Sequence, residues 1–213
     1  MQITARHQCL IYEGAPSDKL SVIATIIQGK LEEGYRCLYL NSTPMIAALH
    51  SLLSARGVDV PAAIAKGRLI LSDEPVMTNG EFDIDSMLSG LEEAIDEAVR
   101  DGFTGLWASG DMTWEFGPNQ DFSKLLQYEI SLEKLFEKRK ELCGICQYHR
   151  DSLPDDVVRQ GLHVHPGVVV NETLSRVNPY YMKASPTNAY ANINVDEVIS
   201  LLCRPGHGLG KAS

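Results

Sequence analysis

The chain has 213 residues, with 19 Lys+Arg against 28 Asp+Glu for a net charge of −9, 44% apolar residues and 22% charged. That length fits one large domain better than two, and the composition is that of a globular chain able to bury a sizeable core, which excludes global disorder. The acidic balance disfavours direct nucleic-acid binding, because a phosphate backbone needs a basic surface.

Apolar runs such as Val22 to Ile27 are too short to span a bilayer, and Met1 to His7 lack a signal-peptide apolar region, so the expectation is a cytoplasmic protein with no membrane partner. The five cysteines Cys9, Cys37, Cys143, Cys146 and Cys203 are odd in number and mostly sit in apolar runs, unlike a secreted disulfide framework.

In chain order, Cys9 to Tyr12 reads as a strand, and Glu13 to Ser17 as a loop leading into a helix from about Asp18 to Glu33, with Ser17 or Asp18 as its cap. Gly34 ends that helix; Tyr35 to Leu40 is a second strand, and Thr43 to Arg56 a helix closed by Gly57. Arg68 to Ser72 is a third strand, Asp73 to Phe82 a loop, and Asp85 to Arg100 a helix with Leu88, Leu91, Ile95 and Val99 facing inward. Phe103 to Ser109 is a fourth strand, Phe122 to Lys140 a long helix with Leu125, Tyr128, Leu132 and Leu135 on one face, and Leu142 to Tyr148 a fifth strand. A short helix near Pro154 to Gln160, a strand His165 to Val170 and a helix Val195 to Cys203 close the pattern. Strands alternating with helices predict an α/β fold: a doubly wound, mainly parallel sheet with a small C-terminal β-rich extension. Residues 1–203 read as one domain and residues 204–213 as a flexible tail.

In such a sheet ligands bind beyond the carboxyl ends of the strands, so the first strand-to-helix loop is where phosphate chemistry would sit. Aligned on Lys19, the pattern G-x-x-x-x-G-K-[ST] finds Glu13 and Asp18 where glycines belong and Leu20 in place of the magnesium-binding hydroxyl. Two carboxylates would repel a triphosphate, so ATP and magnesium are disfavoured as cofactors and a weak ATPase is the runner-up. Asp111 ends an apolar strand, as a magnesium-holding acid would, but an acid there is equally a turn residue. Met112, Trp114 and Glu115 follow it, as the wall of an apolar pocket with polar orienting groups or as a packed loop.

Cys143 and Cys146 form a CxxC, yet on a strand residues three apart point to opposite faces, so they read as core thiols. His163 and His165 just before a strand would share one face, and His7 and Cys9 alternate likewise. As metal candidates, Cys143, Cys146, His163 and His165 are weak beside a structural role.

Taken together, His7-x-Cys9-Leu10-Ile11-Tyr12, Gly34 to Tyr39, Gly102 to Leu106 running into Gly110-Asp111-Met112-Thr113-Trp114, and His165-Pro166 with Asn178-Pro179-Tyr180-Tyr181 resemble the MEDS domain, the sensory domain of methanogens, methylotrophs and the dichloromethane-responsive regulator DcmR. The resemblance covers roughly residues 5 to 185. It implies a RecA- or KaiC-like core that has largely lost its ATPase motifs and serves as a signal-input module for small hydrocarbon derivatives. Asn41 and Ser42 stand where KaiC-like ATPases carry acids after the second strand. On this reading the protein is a non-catalytic sensor. Its ligand site is expected at Gly14, Ser17, Lys19, Asn41, Ser42, Asp111, Trp114 and Glu115, with Tyr180 on a segment that ligand binding biases. No output domain is expected in this length, so a separate kinase or transcription regulator is the expected partner, and a homo-oligomer is left open. A thiol or metal sensor built on Cys9, Cys143, Cys146 and the histidine pairs is a second alternative.

Overall fold

The computed structural model describes residues 5–115, 122–171, 174–183 and 194–203. The expected tail, residues 204–213, lies outside them.

Seven strands form one sheet: β1 (His7–Tyr12), β2 (Arg36–Leu40), β3 (Leu69–Ser72), β6 (Leu106–Asp111), β7 (Leu142–His149), β8 (Gly167–Val169) and β9 (Ser175–Val177), with β4 (Met77–Thr78) and β5 (Glu81–Phe82) as a separate hairpin. The order is β3-β2-β6-β7-β1-β8-β9, parallel throughout except for the antiparallel β8–β9 pair at one edge. The chain is therefore the doubly wound α/β fold its alternation of strand and helix predicts.

The helices are α1 (Leu20–Glu32), α2 (Thr43–Ala55), α3 (Val60–Ala65), α4 (Ile84–Arg100), α5 (Met112–Glu115), α6 (Leu125–Lys138), α7 (Asp155–Val164) and α8 (Val195–Cys203). Each sheet face carries its own core, because strand residues alternate between faces. Leu10, Tyr12, Cys37, Tyr39, Trp107 and Ile145 pack under α1, α2 and α3. Cys9, Leu106, Cys146 and Tyr148 pack on the other face, under α4, α6, α7 and α8. Cys143 and Cys146 fall on opposite faces, as a strand period of two requires. Among the described residues no helix is long and apolar enough to cross a membrane.

Local departures from the sequence expectation have identifiable causes. A turn of 3-10 helix, Pro16–Lys19, precedes α1, so Lys19 occupies the cap position without a side-chain bond and neither Ser17 nor Asp18 caps the helix. The short helix α3 starts at Asp59, whose side chain accepts from the Ala62 N–H at 3.0 Å, with Pro61 in its first turn. The fourth strand begins at Leu106 and runs through Asp111 instead of spanning Phe103 to Ser109, because Gly102 in the left-handed region (φ +84°) starts a loop that sends Phe103 beneath the Arg36 guanidinium, 4.8 Å from its ring centre. Helix α7 continues through His163 to Val164, and this shortens the following strand to Gly167–Val169.

Candidate functional site

The carboxyl ends of β1, β2, β6 and β7 bring Gly14, Ser17, Lys19, Asn41, Ser42 and Asp111 to one end of the sheet. What their polar groups do there differs from a phosphate cradle. The Gly14 N–H donates to Asp151 Oδ2 at 2.8 Å, and the Gly14 carbonyl accepts from His149 Nε2 at 2.8 Å. His149 ends β7, stacks on Tyr12 with ring centres 5.0 Å apart, and is held by Ser152 Oγ at 2.6 Å from Nδ1. Glu13 pairs with Arg150 at 2.8 Å, and Arg150 also binds Asp196 of α8. The loop is thus laced to the segment after β7, with its one flexible glycine (φ +82°) engaged on both backbone groups.

The neighbouring polar groups are likewise taken internally. Tyr12 donates to Asp111 Oδ2 at 3.1 Å, and the Thr113 N–H donates to Oδ1 at 2.9 Å. Asn41 is buried, donates to Tyr39 Oη at 2.9 Å and accepts from the Ser42 N–H at 2.8 Å. Burial, reinforced by Asp111, pushes the phenols of Tyr12 and Tyr39 far above their ordinary range, so both remain neutral hydrogen-bonding groups. Gln147 donates to Ser109, which donates to the Ile145 carbonyl, at 2.9 and 2.8 Å.

Trp114 and Glu115 lie on the backbone of α5; their side chains fall outside what is described. Tyr180 does not join this group. It packs on the opposite sheet face with the core under α6 and α7, and its carbonyl accepts from His163 Nδ1 at 3.0 Å.

Beneath α4 and α6, on that opposite face, a cavity of about 30 Å³ is lined by Leu40, Leu91, Met112, Tyr128, Phe136 and Cys146, among others. One water needs ~10–15 Å³ of such space, so the cavity exceeds a single water, and its walls are apolar.

The Cys146 wall of this cavity abuts a second constellation. His7 Nε2, Glu129 Oε2, Cys146 Sγ and His165 Nε2 all lie within 4.8 Å of one another, and all four residues are buried. Four distant segments supply them: the start of β1, the middle of β7, the α6 face turned to the sheet, and the residue after α7. His7 stacks on Phe136 with centroids 4.2 Å apart and planes at 15°, opposite Gly144 in the strand register. A Cβ at Gly144 would stand 3.4 Å from that phenyl ring and 2.3 Å from the Ala108 carbonyl oxygen. At Gly161 a Cβ would come within 2.5 Å of the Tyr148 ring, so its absence lets α7 settle onto β7 and deliver His165.

Three of the four donors are oriented by a further partner. His7 Nδ1 meets Glu133 Oε2 at 2.5 Å, His165 Nδ1 meets the Gly161 carbonyl at 2.5 Å, and Tyr148 donates to Glu129 Oε1. Glu133 in turn accepts from Tyr181 at 3.0 Å. Burial holds His7 down to about 3 and His165 well below the usual imidazole range, so both rings are neutral at pH 7. Burial also pushes Glu129 up to about 8.

The profile described as MEthanogen/methylotroph, DcmR Sensory domain matches residues 6–166. The chain belongs to the MEDS family. Two archaeal structures share the architecture of this MEDS chain. A KaiC-like protein of Pyrococcus horikoshii OT3 superposes with a TM-score of 0.54 at 14% identity, covering 77% of this chain and 70% of that one. An uncharacterised P. horikoshii protein, solved with an unknown peptide, gives 0.57 at 18% identity, covering 78% and 77%. At such identities the likeness is one of fold. No curated protein matches the sequence.

The MEDS match contains the strand-end residues through Glu115 and all four members of the buried cluster. Of the metal candidates named from sequence, Cys146 and His165 come together, whereas Cys143 faces the other core and His163 sits in the last turn of α7. The expectation that both histidines share a strand face fails because helix, not strand, carries His163. Glu129 and Glu133 were missed. They flank the Leu125, Tyr128, Leu132 stripe of α6, where a charged residue reads as the solvent border. The available signal was their four-residue spacing beside an unbroken apolar face.

Proposed function

We propose that this MEDS chain is a non-catalytic signal-input module that takes up a small, largely apolar molecule, of the size of a C1 or C2 hydrocarbon derivative, and passes the change to a separate output protein. The observation that carries this reading is the apolar cavity behind Gly110 and Met112, which flank Asp111 at the end of β6. The apolar body of the ligand fills that space. Gly14, Ser17, Lys19, Asn41, Ser42, Asp111, Trp114 and Glu115 form the rim at the carboxyl end of the sheet, where a polar substituent is met.

The engagement of Gly14 by His149 and Asp151, and of Asp111 by Tyr12, supports binding over phosphoryl transfer, since a phosphate would have to break these bonds. Closure over the ligand shifts α5, and the output partner reads the population of that state.

The test uses dissolved dichloromethane as the probe. Binding raises the unfolding temperature and moves the Met112 methyl resonance, and Ala108→Leu, which fills the cavity from β6, abolishes both effects. Protection by ATP and magnesium that is lost in Asp111→Asn, with no response to dichloromethane, would overturn the reading in favour of an ATPase.

A further inference from the structure

The buried cluster beneath α6 and α7 has a property that packing alone does not explain. His7 Nδ1 faces a carboxylate and His165 Nδ1 faces a backbone carbonyl, both acceptors, so each ring carries its proton on Nδ1 and turns the Nε2 lone pair inward. The inward groups are thus two imidazole lone pairs, a Glu129 carboxyl oxygen and the Cys146 sulfur, the last two carrying protons that an arriving cation would displace, and all four are aimed at one point. His165 Nε2 is buried with no hydrogen-bond partner, a costly state in the absence of something to receive its lone pair.

The spacing has a specific meaning. The neighbouring pairs are 3.6 Å (His7 Nε2 to Cys146 Sγ), 3.6 Å (His7 Nε2 to Glu129 Oε2), 3.5 Å (Glu129 Oε2 to His165 Nε2) and 4.0 Å (Cys146 Sγ to Glu129 Oε2). Bonds of about 2.0–2.3 Å from a tetrahedral zinc ion to N, O and S donors place those donors roughly 3.3–3.8 Å apart. These four edges lie within about half an ångström of that range, and the remaining pairs, His7 to His165 and Cys146 to His165, stay within 4.8 Å, so the donors need only draw in by about an ångström to close on an ion.

We propose that His7, Glu129, Cys146 and His165 bind one divalent transition-metal ion of the zinc class, with Glu133, the Gly161 carbonyl and Tyr148 as the outer partners that orient the donors. Two histidines held by a carboxylate and a carbonyl are the arrangement that metal-binding imidazoles use, and a thiolate with a carboxylate neutralises a dication in an otherwise apolar site. Oxygen-preferring magnesium and calcium are disfavoured by two nitrogens and a sulfur. Binding proceeds by displacement of protons from Cys146 and Glu129 to solvent and needs no redox partner. The ion ties β1, β7, α6 and the end of α7 together, and Tyr181 on Glu133 connects it to the segment after β9. This inference stands apart from the cavity reading, and failure of dichloromethane to bind leaves it intact.

The experiment strips the full chain with a chelator and titrates it with Zn²⁺ and, separately, Co²⁺. One equivalent of either is taken up with a rise in unfolding temperature, and the cobalt form shows the visible bands of a tetrahedral ion plus a thiolate charge-transfer band. Cys146→Ser removes the charge-transfer band and Cys143→Ser, on the other face, leaves it. Glu129→Gln, nearly isosteric, weakens binding by at least about 100-fold, the upper end of the loss seen for outer partners alone. A stripped chain that takes up neither metal, or that binds cobalt with unchanged spectrum and affinity in Cys146→Ser and Glu129→Gln, overturns the proposal. Circular dichroism of both variants confirms that they are folded when the comparison is made.

Discussion

Three helical glycines offer a test in which one substitution has opposite signs. Gly29 in α1 and Gly90 in α4 have nothing within 4 Å of an added Cβ, whereas at Gly161 in α7 the new atom would lie 2.5 Å from two carbons of the Tyr148 ring. Alanine in a helix interior is favoured over glycine by about 0.5–1 kcal/mol. At Gly29 and Gly90 that gain is unopposed. At Gly161 it is set against overpacking, which costs roughly 1–3 kcal/mol, and Tyr148 has no room to give because it is fully buried and bonded to Glu129. The net at Gly161 is a loss of about 1–2 kcal/mol. For a chain of this size each kcal/mol moves the unfolding midpoint by about 2–4 °C. Calorimetry should show Gly29→Ala and Gly90→Ala melting about 1–4 °C above the parent and Gly161→Ala about 2–8 °C below it. Gly161→Ala should also weaken cobalt binding, because the Gly161 carbonyl orients His165. A Gly161→Ala protein as stable as its parent would refute the seating of α7 on β7 and, with it, the way His165 is presented.

Tyr12→Phe leaves Asp111 Oδ2 buried without the phenol that now donates to it, and urea unfolding should show a loss of about 1–3 kcal/mol; an unchanged midpoint would mean that water replaces the bond freely. Burial pushes the Cys143 thiol up to about 11 and Cys9 and Cys37 higher still, so alkylation of these three by iodoacetamide at pH 7.5 should be far slower in the native chain than in urea. Because thiolate is the reactive form, the rate at Cys143 should climb with pH up to about 11, and a rate already flat near neutrality would contradict the burial.

The α/β architecture was legible because buried parallel strands read as short apolar runs and the helices between them keep a 3.6-residue stripe. The edges of elements were less so. His163 and His165 alternate in a way that fits a strand, but the helix that begins at Asp155 keeps bonding through Val164, and no residue there forbids it. Asp59 with Pro61 two residues on is a helix start, but six residues are too few to show an apolar stripe. The strand-end residues could be placed from topology alone, since position at a strand terminus fixes where a side chain emerges. The buried cluster could not. His7 meets Glu133 across 126 positions of sequence, and Cys146 meets His7 across 139, separations at which no periodicity carries information. A buried carboxylate on α6 becomes intelligible only once β1 and β7 are seen beneath it.

Cavity and cluster share Cys146 and touch again where Phe136 of the cavity wall stacks on His7, and this leads to a coupling that can be measured from either side. Cys146 lines the cavity with its sulfur 3.6 Å from His7 Nε2, and Phe136 lines it while stacking on the His7 ring. A metal ion that fixes His7 and the Cys146 thiolate therefore fixes one wall of the space that receives an apolar ligand, and ordering a wall in advance lowers the entropic cost of binding. Coupling between sites commonly amounts to 5–150-fold in affinity, and contact through shared side chains argues for at least about 5-fold here. Thermodynamic linkage then demands that dichloromethane tighten zinc binding by the same factor that zinc tightens dichloromethane binding. Both factors follow from titrating each probe in the presence and absence of saturating amounts of the other. Phe136→Leu, which removes the stacked ring but keeps an apolar wall, should reduce the two factors together. Equal affinities with and without the other probe would show that the shared wall is rigid before either arrives, and the sensory reading would then have to run through the strand-end rim without the cluster.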